Sequence, residues 1–365
     1  MKITKIDIHR LSFPLGESFG TSYSAISQVN ETIVKVHTDE GLTGIGQANV
    51  DPNVVEEVGG LTIGEDPHCV EKVWEKMFQT TLPNRKAPAR MMIMRAISAI
   101  DVALWDITGK ASNMPVWRLL GGYADRIPVY ASDGYYREGG IKTLVQEMIG
   151  YKDSGYTAVK MKIGRLSLAE DVARVEAVRK SLGDDIEIML DANQAYDVET
   201  AIIASRLFEP YQIRWFEEPV RWYDNVDGLG QVAAATSIPV AAGEGEYSIW
   251  SCRDLLLRGR IKIMQLQASR GGGITPWRKV AAMSEASHVT MSAHHDPWIH
   301  VHLVGAVPNG LNLECFPNPV RDPVWVELFS GCPVVKEGFM EVPQKPGLGL
   351  ELDEKILRKY AVSRD

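Results

Sequence analysis

Ionisable and amide side chains recur along the second half of the chain, each at the end of a short apolar run. After an initial Lys-x-Lys pair, successive members of the set are 20 to 29 residues apart. The set comprises Lys160, Lys162, Asp191, Glu217, Glu244, Gln267, His294 and Glu314. Each step equals about one strand–helix unit, so repeated βα units would bring these residues to one edge of a parallel sheet.

Three members of this set are carboxylates on consecutive predicted strands, namely Asp191, Glu217 and Glu244. Three converging carboxylates repel one another and raise one another's pKa values. A divalent cation removes this repulsion, and an all-oxygen ligand set favours Mg²⁺ or Mn²⁺ over Zn²⁺. The alternative is a set of structural salt bridges, but three carboxylates opposite a lysine pair favour a metal site.

The lysine pair occupies positions i and i+2 of one predicted strand, so Lys160 and Lys162 point to the same side. In a barrel, that side is the interior. Two adjacent ammonium groups destabilise each other's charge, so one of them is more easily neutral near pH 7 and can accept a proton. A lone buried lysine is often structural, whereas a pair facing three carboxylates indicates chemistry.

The combination of a cation site and an amine predicts removal of a proton next to a carboxylate. Such a proton is weakly acidic because its loss adds a second negative charge to the carboxylate. A metal bound to that carboxylate stabilises the resulting enediolate, and a nearby amine takes the proton.

The residues that carry this chemistry require a repeated framework, and the sequence after Gly122 supplies one. Eight short apolar runs alternate with amphipathic segments, which predicts an α/β fold with a (β/α)8-type barrel. The runs are Val129–Ser132, Ala158–Ile163, Ile186–Asp191, Ile213–Glu217, Val240–Glu244, Ile261–Gln267, Val289–His294 and Leu311–Glu314. An open doubly wound sheet is the alternative, but no GxGxxG or Walker motif is present.

The first part of the chain has a different pattern, which divides the sequence into three predicted regions. A β-rich meander extends to about Ala48, and apolar residues at helical spacing follow over Met91–Ala111. We predict an α+β domain over residues 1–122, the barrel over 123–330, and a C-terminal segment over 331–365 that packs back on the first domain.

Composition excludes several classes of protein. The net charge of −8 and the absence of a basic stripe argue against nucleic-acid binding. Charged residues interrupt the N-terminus, and no stretch approaches 18 uncharged apolar residues, so neither a targeting signal nor a membrane span is expected. The four cysteines form no CxxC pair, which is typical of free thiols in a reduced cytoplasmic protein.

Taken in order, several short motifs resemble the mandelate racemase subgroup of the enolase superfamily over nearly the whole chain. They are Ala99-Ile100-Asp101-Val102-Ala103-Leu104-Trp105-Asp106, Leu119-Leu120-Gly121-Gly122, Lys160-Met161-Lys162, Asp191-Ala192-Asn193, Glu217-Glu218-Pro219, Gly243-Glu244 and Gly272-Gly273-Ile274-Thr275. The resemblance implies that the N-terminal domain caps the barrel and that the chain forms homo-oligomers. It also implies that the capping loops, which Phe19–Ser24 and Asn49–Gly60 match, select a small carboxylate substrate.

The resemblance also implies a role for each site residue. Lys162 is the base on one face of the substrate, and Lys160 tunes its pKa. His294 is an acid or base on the opposite face. Asp191, Glu217 and Glu244 bind an essential Mg²⁺, and Glu314, Asn193 and Gln267 bind the substrate.

One position departs from the family pattern. Where the family usually pairs the histidine with an aspartate, this chain has Gln267. Because glutamine carries no charge to support an imidazolium, His294 is expected to be a weaker base than in a two-base racemase. We expect His295 to be structural. Asp296 is a less favoured replacement partner, because adjacent side chains on a strand seldom meet.

These observations favour dehydration of an acid sugar to a 2-keto-3-deoxy acid by a hydro-lyase. This reaction needs one base and one acid, and most members of the subgroup with known roles act on acid sugars. A racemase, epimerase or cycloisomerase with the same first step is the alternative. A further alternative is a homologue that binds a metal but has lost catalysis, and the Gln267 replacement motivates this alternative.

Overall fold

The computed structural model describes residues 1–82 and 88–362. The chain opens with a three-stranded antiparallel sheet in the order β1-β2-β3. Its strands are β1 (Ile3–Gly20), β2 (Ala25–Thr38) and β3 (Thr43–Ala48). Four helices follow: α1 (Pro52–Gly60), α2 (Val70–Phe78), α3 (Pro88–Ala111) and α4 (Val116–Leu119).

The long helix α3 packs directly on strand β3, and two glycines permit the close approach. A Cβ atom at Gly46 would lie 1.8 Å from the carbonyl oxygen of Ala99, and one at Gly44 would lie 2.0 Å from that of Ala103. The backbones are therefore in contact, and Ala99 and Ala103 are fully buried between helix and sheet. This packing builds the α+β capping domain.

Eight parallel strands follow and form the predicted barrel. They are β4 (Arg126–Ser132), β5 (Ala158–Lys162), β6 (Glu187–Asp191), β7 (Ile213–Glu217), β8 (Val240–Ala242), β9 (Ile263–Met264), β10 (Thr290–Met291) and β11 (Leu313–Cys315). Neighbours from β4 to β10 pair in parallel, and β11 pairs with β4. A bridge between Met291 and Gly310 joins the last two strands, so the ring closes.

Seven helices connect these strands, one between each consecutive pair. They are α5 (Gly140–Asp153), α6 (Leu168–Leu182), α7 (Val198–Phe208), α8 (Asn225–Ala235), α9 (Ile249–Leu257), α10 (Ile274–Ala286) and α11 (Pro297–Val304). After β11 the chain instead makes a π-helical turn, Val324–Leu328, and enters the C-terminal segment. The barrel thus has eight strands and seven connecting helices.

The lower part of the barrel is filled by one inward-facing residue from each of several strands. Tyr130, Ala158, Met189, Trp215, Ala241 and Ile263 form this buried cluster. Ala158 lies two residues before Lys160 and four before Lys162, so alternation along β5 places both lysines on the same interior side. The apolar layer therefore lies directly below the polar residues at the mouth of the barrel.

The C-terminal segment contacts both the barrel and the capping domain. Its elements are β12 (Phe329–Ser330), β13 (Val335–Lys336), β14 (Phe339–Glu341), β15 (Glu351–Leu352) and α12 (Glu354–Tyr360). Strand β14 pairs antiparallel with β4 of the barrel. Beyond it, Gly347 bridges Pro115, and Ala361 bridges Leu11 of β1. The domain boundaries at residues 122 and 330 stay a prediction.

Two features of the structure concern the state of the cysteines and the possibility of a membrane-spanning helix. All four cysteines are free, in agreement with the expected thiols. Among the helices of the described residues, none combines the length and apolar character that crossing a membrane requires. The cytoplasmic location stays a prediction.

Candidate active site

The three predicted metal ligands meet at the carboxyl ends of three neighbouring strands. Asp191 ends β6, Glu217 ends β7, and Glu244 follows β8 after a glycine. One carboxylate oxygen from each lies within 4.8 Å of the others, and Asp191 and Glu217 are buried. The donor set is entirely oxygen and carries three negative charges, which fits a hard divalent cation such as Mg²⁺.

The two lysines of β5 contact this cluster from the side. Nζ of Lys160 lies 2.6 Å from Oε1 of Glu217 and 2.8 Å from Oε1 of Glu314. Lys162 forms an ion pair with Oδ2 of Asp191. The two lysines therefore pair with different carboxylates: Lys160 with two of them and Lys162 with one.

These ion pairs change the expected pKa of Lys162. Burial lowers the pKa of its ammonium group, but the nearby Asp191 carboxylate raises it above its usual value. The neighbouring charge of Lys160 does lower the pKa, as predicted from the sequence, but the effect is smaller than that of Asp191. The lowering of the pKa by the second ammonium is therefore present as predicted, but it is outweighed here by the charge of Asp191, which a divalent cation at the same cluster would offset.

The carboxylates respond to burial and to their neighbours in different ways. Burial raises the pKa of Glu217 to about 7, although Lys160 opposes the shift. Burial and the charge of Asp191 raise the pKa of Glu244. Burial also acts to raise the pKa of Glu314, but Lys160 and then His294 hold it well below its usual range. Ionised Glu314 accepts hydrogen bonds and cannot donate one.

A shell of hydrogen bonds fixes the orientation of these carboxylates. Oε2 of Glu217 accepts from Nε1 of Trp215 at 2.9 Å and from Nε2 of Gln265 at 2.7 Å. Asp191 accepts from the backbone N–H of Asn193 at 2.8 Å and from its side chain at 3.0 Å. Asn193 thus orients a candidate ligand, and it lies within the predicted site. Its contact with a substrate stays a prediction.

His294 lies beside a different part of the cluster from Lys162. Its Nε2 is 3.2 Å from Oε2 of Glu244 and 3.7 Å from Oε2 of Glu314. Its Nδ1 is 2.9 Å from Oε1 of Gln267. Burial lowers the pKa of His294 well below its usual value, so the imidazole is neutral. A neutral histidine without an aspartate partner agrees with the weaker base that the sequence predicts.

The segment after His294 differs from the expected regular strand. Strand β10 ends at Met291, and His295 and Asp296 both have left-handed backbone conformations, with φ of 55° and 46°. The turn brings Oδ1 of Asp296 within 2.8 Å of Nδ1 of His295. These residues are therefore not on a strand, and Asp296 contacts His295 rather than His294, whose Nδ1 lies against Gln267. The low weight given to Asp296 as the direct partner of His294 agrees with this arrangement.

The structure adds Arg270 and Glu31 to the residues around this mouth, and the sequence reasoning assigned neither of them a role. Nη1 of Arg270 donates to the backbone carbonyl of Glu244 at 3.4 Å. Glu31 of β2 interacts electrostatically with Asp296, His295 and Arg270. The only sequence signal for Arg270 was its position shortly after Gln267. The sequence carried no signal for Glu31, because a residue in a strand of the capping sheet cannot be placed near the barrel from sequence alone.

The fold and the site define the class of protein: a capped barrel with three carboxylates and two lysines at its mouth, the architecture of the enolase superfamily. Profile comparisons agree. Residues 5–121 match the mandelate racemase / muconate lactonizing enzyme N-terminal domain, and residues 142–356 match the enolase C-terminal domain-like family. The chain belongs to the mandelate racemase/muconate lactonizing enzyme family.

Characterised relatives catalyse different reactions at similar identity. A 3,6-anhydro-α-L-galactonate cycloisomerase from Streptomyces coelicolor is 30% identical over 98% of both chains. An L-talarate/galactarate dehydratase from Salmonella typhimurium is 32% identical over 83% of this chain and 74% of its own. An N-succinyl-L-Arg/Lys racemase from Bacillus cereus is 29% identical over 100% of this chain and 99% of its own. Identity alone therefore does not choose among these reactions.

A solved structure supports both the fold and the metal site. The mandelate racemase/muconate lactonizing enzyme from a marine actinobacterium, in complex with magnesium, superposes with a TM-score of 0.88. It is 34% identical to this chain and covers 99% of both chains. The predicted family and fold are confirmed.

Proposed function

We propose that this protein is a Mg²⁺-dependent hydro-lyase that converts an acid sugar into a 2-keto-3-deoxy acid. One observation carries the proposal: Lys162, at the end of β5, and His294, in the loop after β10, contact the same carboxylate cluster. A substrate carboxylate held at this cluster would therefore have an amine and an imidazole within reach of neighbouring carbons.

Asp191, Glu217 and Glu244 would hold Mg²⁺, which would offset their charge, including that of Asp191 beside Lys162, and would stabilise the negative charge that develops on the substrate carboxylate. Lys162 accepts the α proton at Nζ as the α C–H bond breaks. The electron pair then expels the β oxygen, which leaves as water after it receives a proton from Nε2 of His294. Because the resting imidazole is neutral with its hydrogen on Nδ1, Nε2 would first take up that proton from solvent, and the lowered pKa of His294 makes the resulting imidazolium a strong acid. The enol product tautomerises to the 2-keto acid, so the reaction is a loss of water with no change in oxidation state.

Two observations favour dehydration over racemisation. Gln267 is uncharged, so its contact with Nδ1 of His294 does not stabilise an imidazolium as an aspartate would. Burial also lowers the pKa of His294, which weakens it as a base on the second face. A racemase needs a competent base on both faces, whereas an elimination needs one.

A second candidate is a cycloisomerase, because a relative with that activity aligns over 98% of both chains. The Streptomyces coelicolor cycloisomerase aligns over nearly the full length of both chains, whereas the dehydratase aligns over a smaller share. The chemistry of the two reactions is closely related. When the departing β oxygen belongs to a ring of the substrate, the same elimination opens that ring and releases no water.

The deciding experiment is an activity panel with the Mg²⁺-loaded protein in D₂O. The panel contains mono- and di-acid sugars, together with acids whose β oxygen lies in a ring. Formation of 2-keto acid and deuterium at the α carbon are both measured. We expect 2-keto acid from at least one open-chain acid sugar. Lys162→Ala should reduce turnover by about 10²–10⁴-fold, whereas Lys180→Ala, at an exposed position of α6, should not.

The other outcomes are equally informative. Ring opening without product from open-chain acids would make the protein a cycloisomerase. Deuterium incorporation without elimination would indicate a racemase or epimerase. Magnesium binding with no exchange for any acid would favour a homologue that has lost catalysis. Homo-oligomer formation and the absence of nucleic-acid binding stay predictions.

A further inference from the structure

A chain of buried hydrogen bonds leads from the capping domain to His294. Nε1 of Trp298 donates to Oε1 of Gln47 at 3.2 Å, and Nε2 of Gln47 donates to Oδ1 of Asp296 at 3.0 Å. Oδ2 of Asp296 accepts from Nε2 of Gln267 at 2.8 Å. Gln267 then contacts His294 through its carbonyl oxygen. Gln47 belongs to strand β3 of the capping sheet, so the chain crosses between the two domains.

The chemistry of Asp296 fixes the direction of this chain. Its carboxylate receives four donors: the side chains of Gln47, His295, Gln267 and Ser269. A carboxylate in such surroundings only accepts hydrogen bonds, so the group of Gln267 that faces it must be the NH₂. The carbonyl of Gln267 consequently faces Nδ1 of His294, which must carry the hydrogen.

Ser269 strengthens this orientation. Nε2 of Gln267 also lies 2.7 Å from Oγ of Ser269, and that hydroxyl in turn contacts Oδ2 of Asp296. The amide, the hydroxyl and the carboxylate form a closed triangle. Reversal of the amide would direct its carbonyl oxygen at the carboxylate, which leaves two acceptors facing each other in a buried site.

We infer that Asp296 is a positioning residue, which acts through Gln267 to hold His294 as the Nδ1–H tautomer with Nε2 directed at the carboxylate cluster. The inference rests on the proposed function in one respect, namely that His294 takes part in the reaction. This role of Asp296 makes Nε2 the reactive nitrogen of His294. It also explains how the orientation of His294 is fixed in a chain that has Gln267 in place of the usual aspartate. The mechanism is orientation rather than charge, because Asp296 already forms an ion pair with His295.

The test reads the tautomer directly. In the Mg²⁺-loaded full-length protein, ¹⁵N chemical shifts of the imidazole nitrogens distinguish Nδ1–H from Nε2–H, and His294→Asn identifies the resonances. We expect the Nδ1–H form in the unchanged protein. Asp296→Asn removes the acceptor that fixes the amide, so the Nε2–H form should appear. With an active substrate, kcat should fall by about 10–100-fold, with a smaller change in KM.

A matched control separates orientation from a general loss of structure. Asp322 is a second buried carboxylate near His295, whose Nε2 is 3.9 Å from its Oδ2, but it has no contact with Gln267. Asp322→Asn should therefore leave the tautomer of His294 unchanged, even if the protein is destabilised. An Nε2–H histidine in the unchanged protein, or an unchanged tautomer in a folded Asp296→Asn variant, would overturn the inference. Because the shifts are measured without substrate, a negative activity panel would reject only the proposed function.

Discussion

At the scale of single residues, the carboxyl group of Glu31 is a polar group near the mouth with one oxygen unpaired within the described part of the chain. Its Oε2 is buried and has no hydrogen-bond partner among residues 1–82 and 88–362. Burial raises the pKa of Glu31 to about 8. The charges of Asp296 and Asp322 act in the same direction, whereas those of His295 and Arg270 oppose the shift. Such a group destabilises the folded protein whenever it is ionised.

Glu31→Gln should therefore stabilise the protein in a pH-dependent way. The folded-state pKa lies above the unfolded value, so the stability that protonated Glu31 contributes is complete below about pH 4.5 and is lost as the pH rises through about 8. The glutamine variant avoids that loss. We expect its unfolding temperature at pH 8.5 to exceed that of the unchanged protein by a few degrees, a gain of about 1–3 kcal/mol.

The control for this measurement is Glu40→Gln. Glu40 is an exposed carboxylate in the turn between β2 and β3 and forms an ion pair with the N-terminal amine. Its replacement should give no stabilisation that grows between pH 5 and pH 8.5. Equal effects of Glu31→Gln at both pH values, or a loss of stability at the higher one, would contradict the role of the ionised carboxyl.

The residues that gather at the mouth could be predicted because they share a position at strand ends. Their hydrogen-bond partners could not, since those depend on turns. His295 and Asp296 illustrate the difference, because apolar periodicity extends the predicted strand to His294 although pairing ends at Met291. The Asp296-Pro297 pair was an overlooked signal, because an aspartate before a proline is typical of a helix start and would have ended the strand earlier.

At the scale of elements, the order and number of strands could be predicted, whereas several strand ends could not. Predicted Val240–Glu244 corresponds to β8, Val240–Ala242, and predicted Val289–His294 corresponds to β10. Both differences have the same physical cause. The backbone leaves the sheet before the functional side chain, as at Gly243 with φ of 123°, so that the side chain projects into the mouth.

The capping helix α3 and the barrel helix α10 meet at a contact that no periodicity predicts. Oδ2 of Asp101 accepts from the backbone N–H of Thr275 at 2.9 Å, and Oδ1 accepts from its hydroxyl at 2.6 Å. Gly273 precedes α10 with φ of 102° and ψ of −166°. A Cβ atom at Gly273 would lie 2.2 Å from Oδ2 of Asp101. Two motifs whose contacting residues are 174 positions apart in sequence thus form one interface.

Gly273→Ala should destabilise the protein through both its backbone and this clash. The backbone conformation alone costs an alanine about 1–3 kcal/mol. The contact with Asp101 adds to that cost, because the carboxylate must give up its bonds to Thr275. We expect a lower unfolding temperature and a greater protease sensitivity of the capping domain.

Gly183 provides a closely matched control at the end of α6. Its backbone has nearly the same conformation, with φ of 75° and ψ of −173°, but a Cβ atom there would meet no atom within 4 Å. Gly183→Ala should therefore show the backbone cost alone. If the two alanine variants lose the same stability, the clash with Asp101 does not contribute.

At the scale of the whole molecule, the C-terminal segment connects the barrel to the capping domain. The backbone N–H of Val116 donates to Gly347 at 2.9 Å, and the N–H of Leu348 donates to Asp106 at 2.8 Å. The ring of Tyr360 packs on Phe13, with centroids 4.3 Å apart. Three buried leucines anchor this part of the chain: Leu348, Leu350 and Leu357.

A chain that ends at Val342 should lose most of its stability while keeping every candidate catalytic residue. Loss of the three buried leucines alone removes roughly 5–9 kcal/mol of hydrophobic stabilisation, since each contributes about 1.5–3 kcal/mol. We expect aggregation or a strongly lowered unfolding temperature. A chain that ends at Val362 is the control and should behave like the unchanged protein. Equal stability of the two would show that the segment is dispensable.

The return of this segment to the first domain has a consequence for biosynthesis. The capping domain leaves the ribosome before the barrel, yet its contacts with Gly347, Leu348 and Tyr360 form only after the C-terminal segment has emerged. The barrel is translated in between. A nascent protein therefore cannot complete its capping domain until the C-terminal segment has been translated, although all its candidate catalytic side chains are already present.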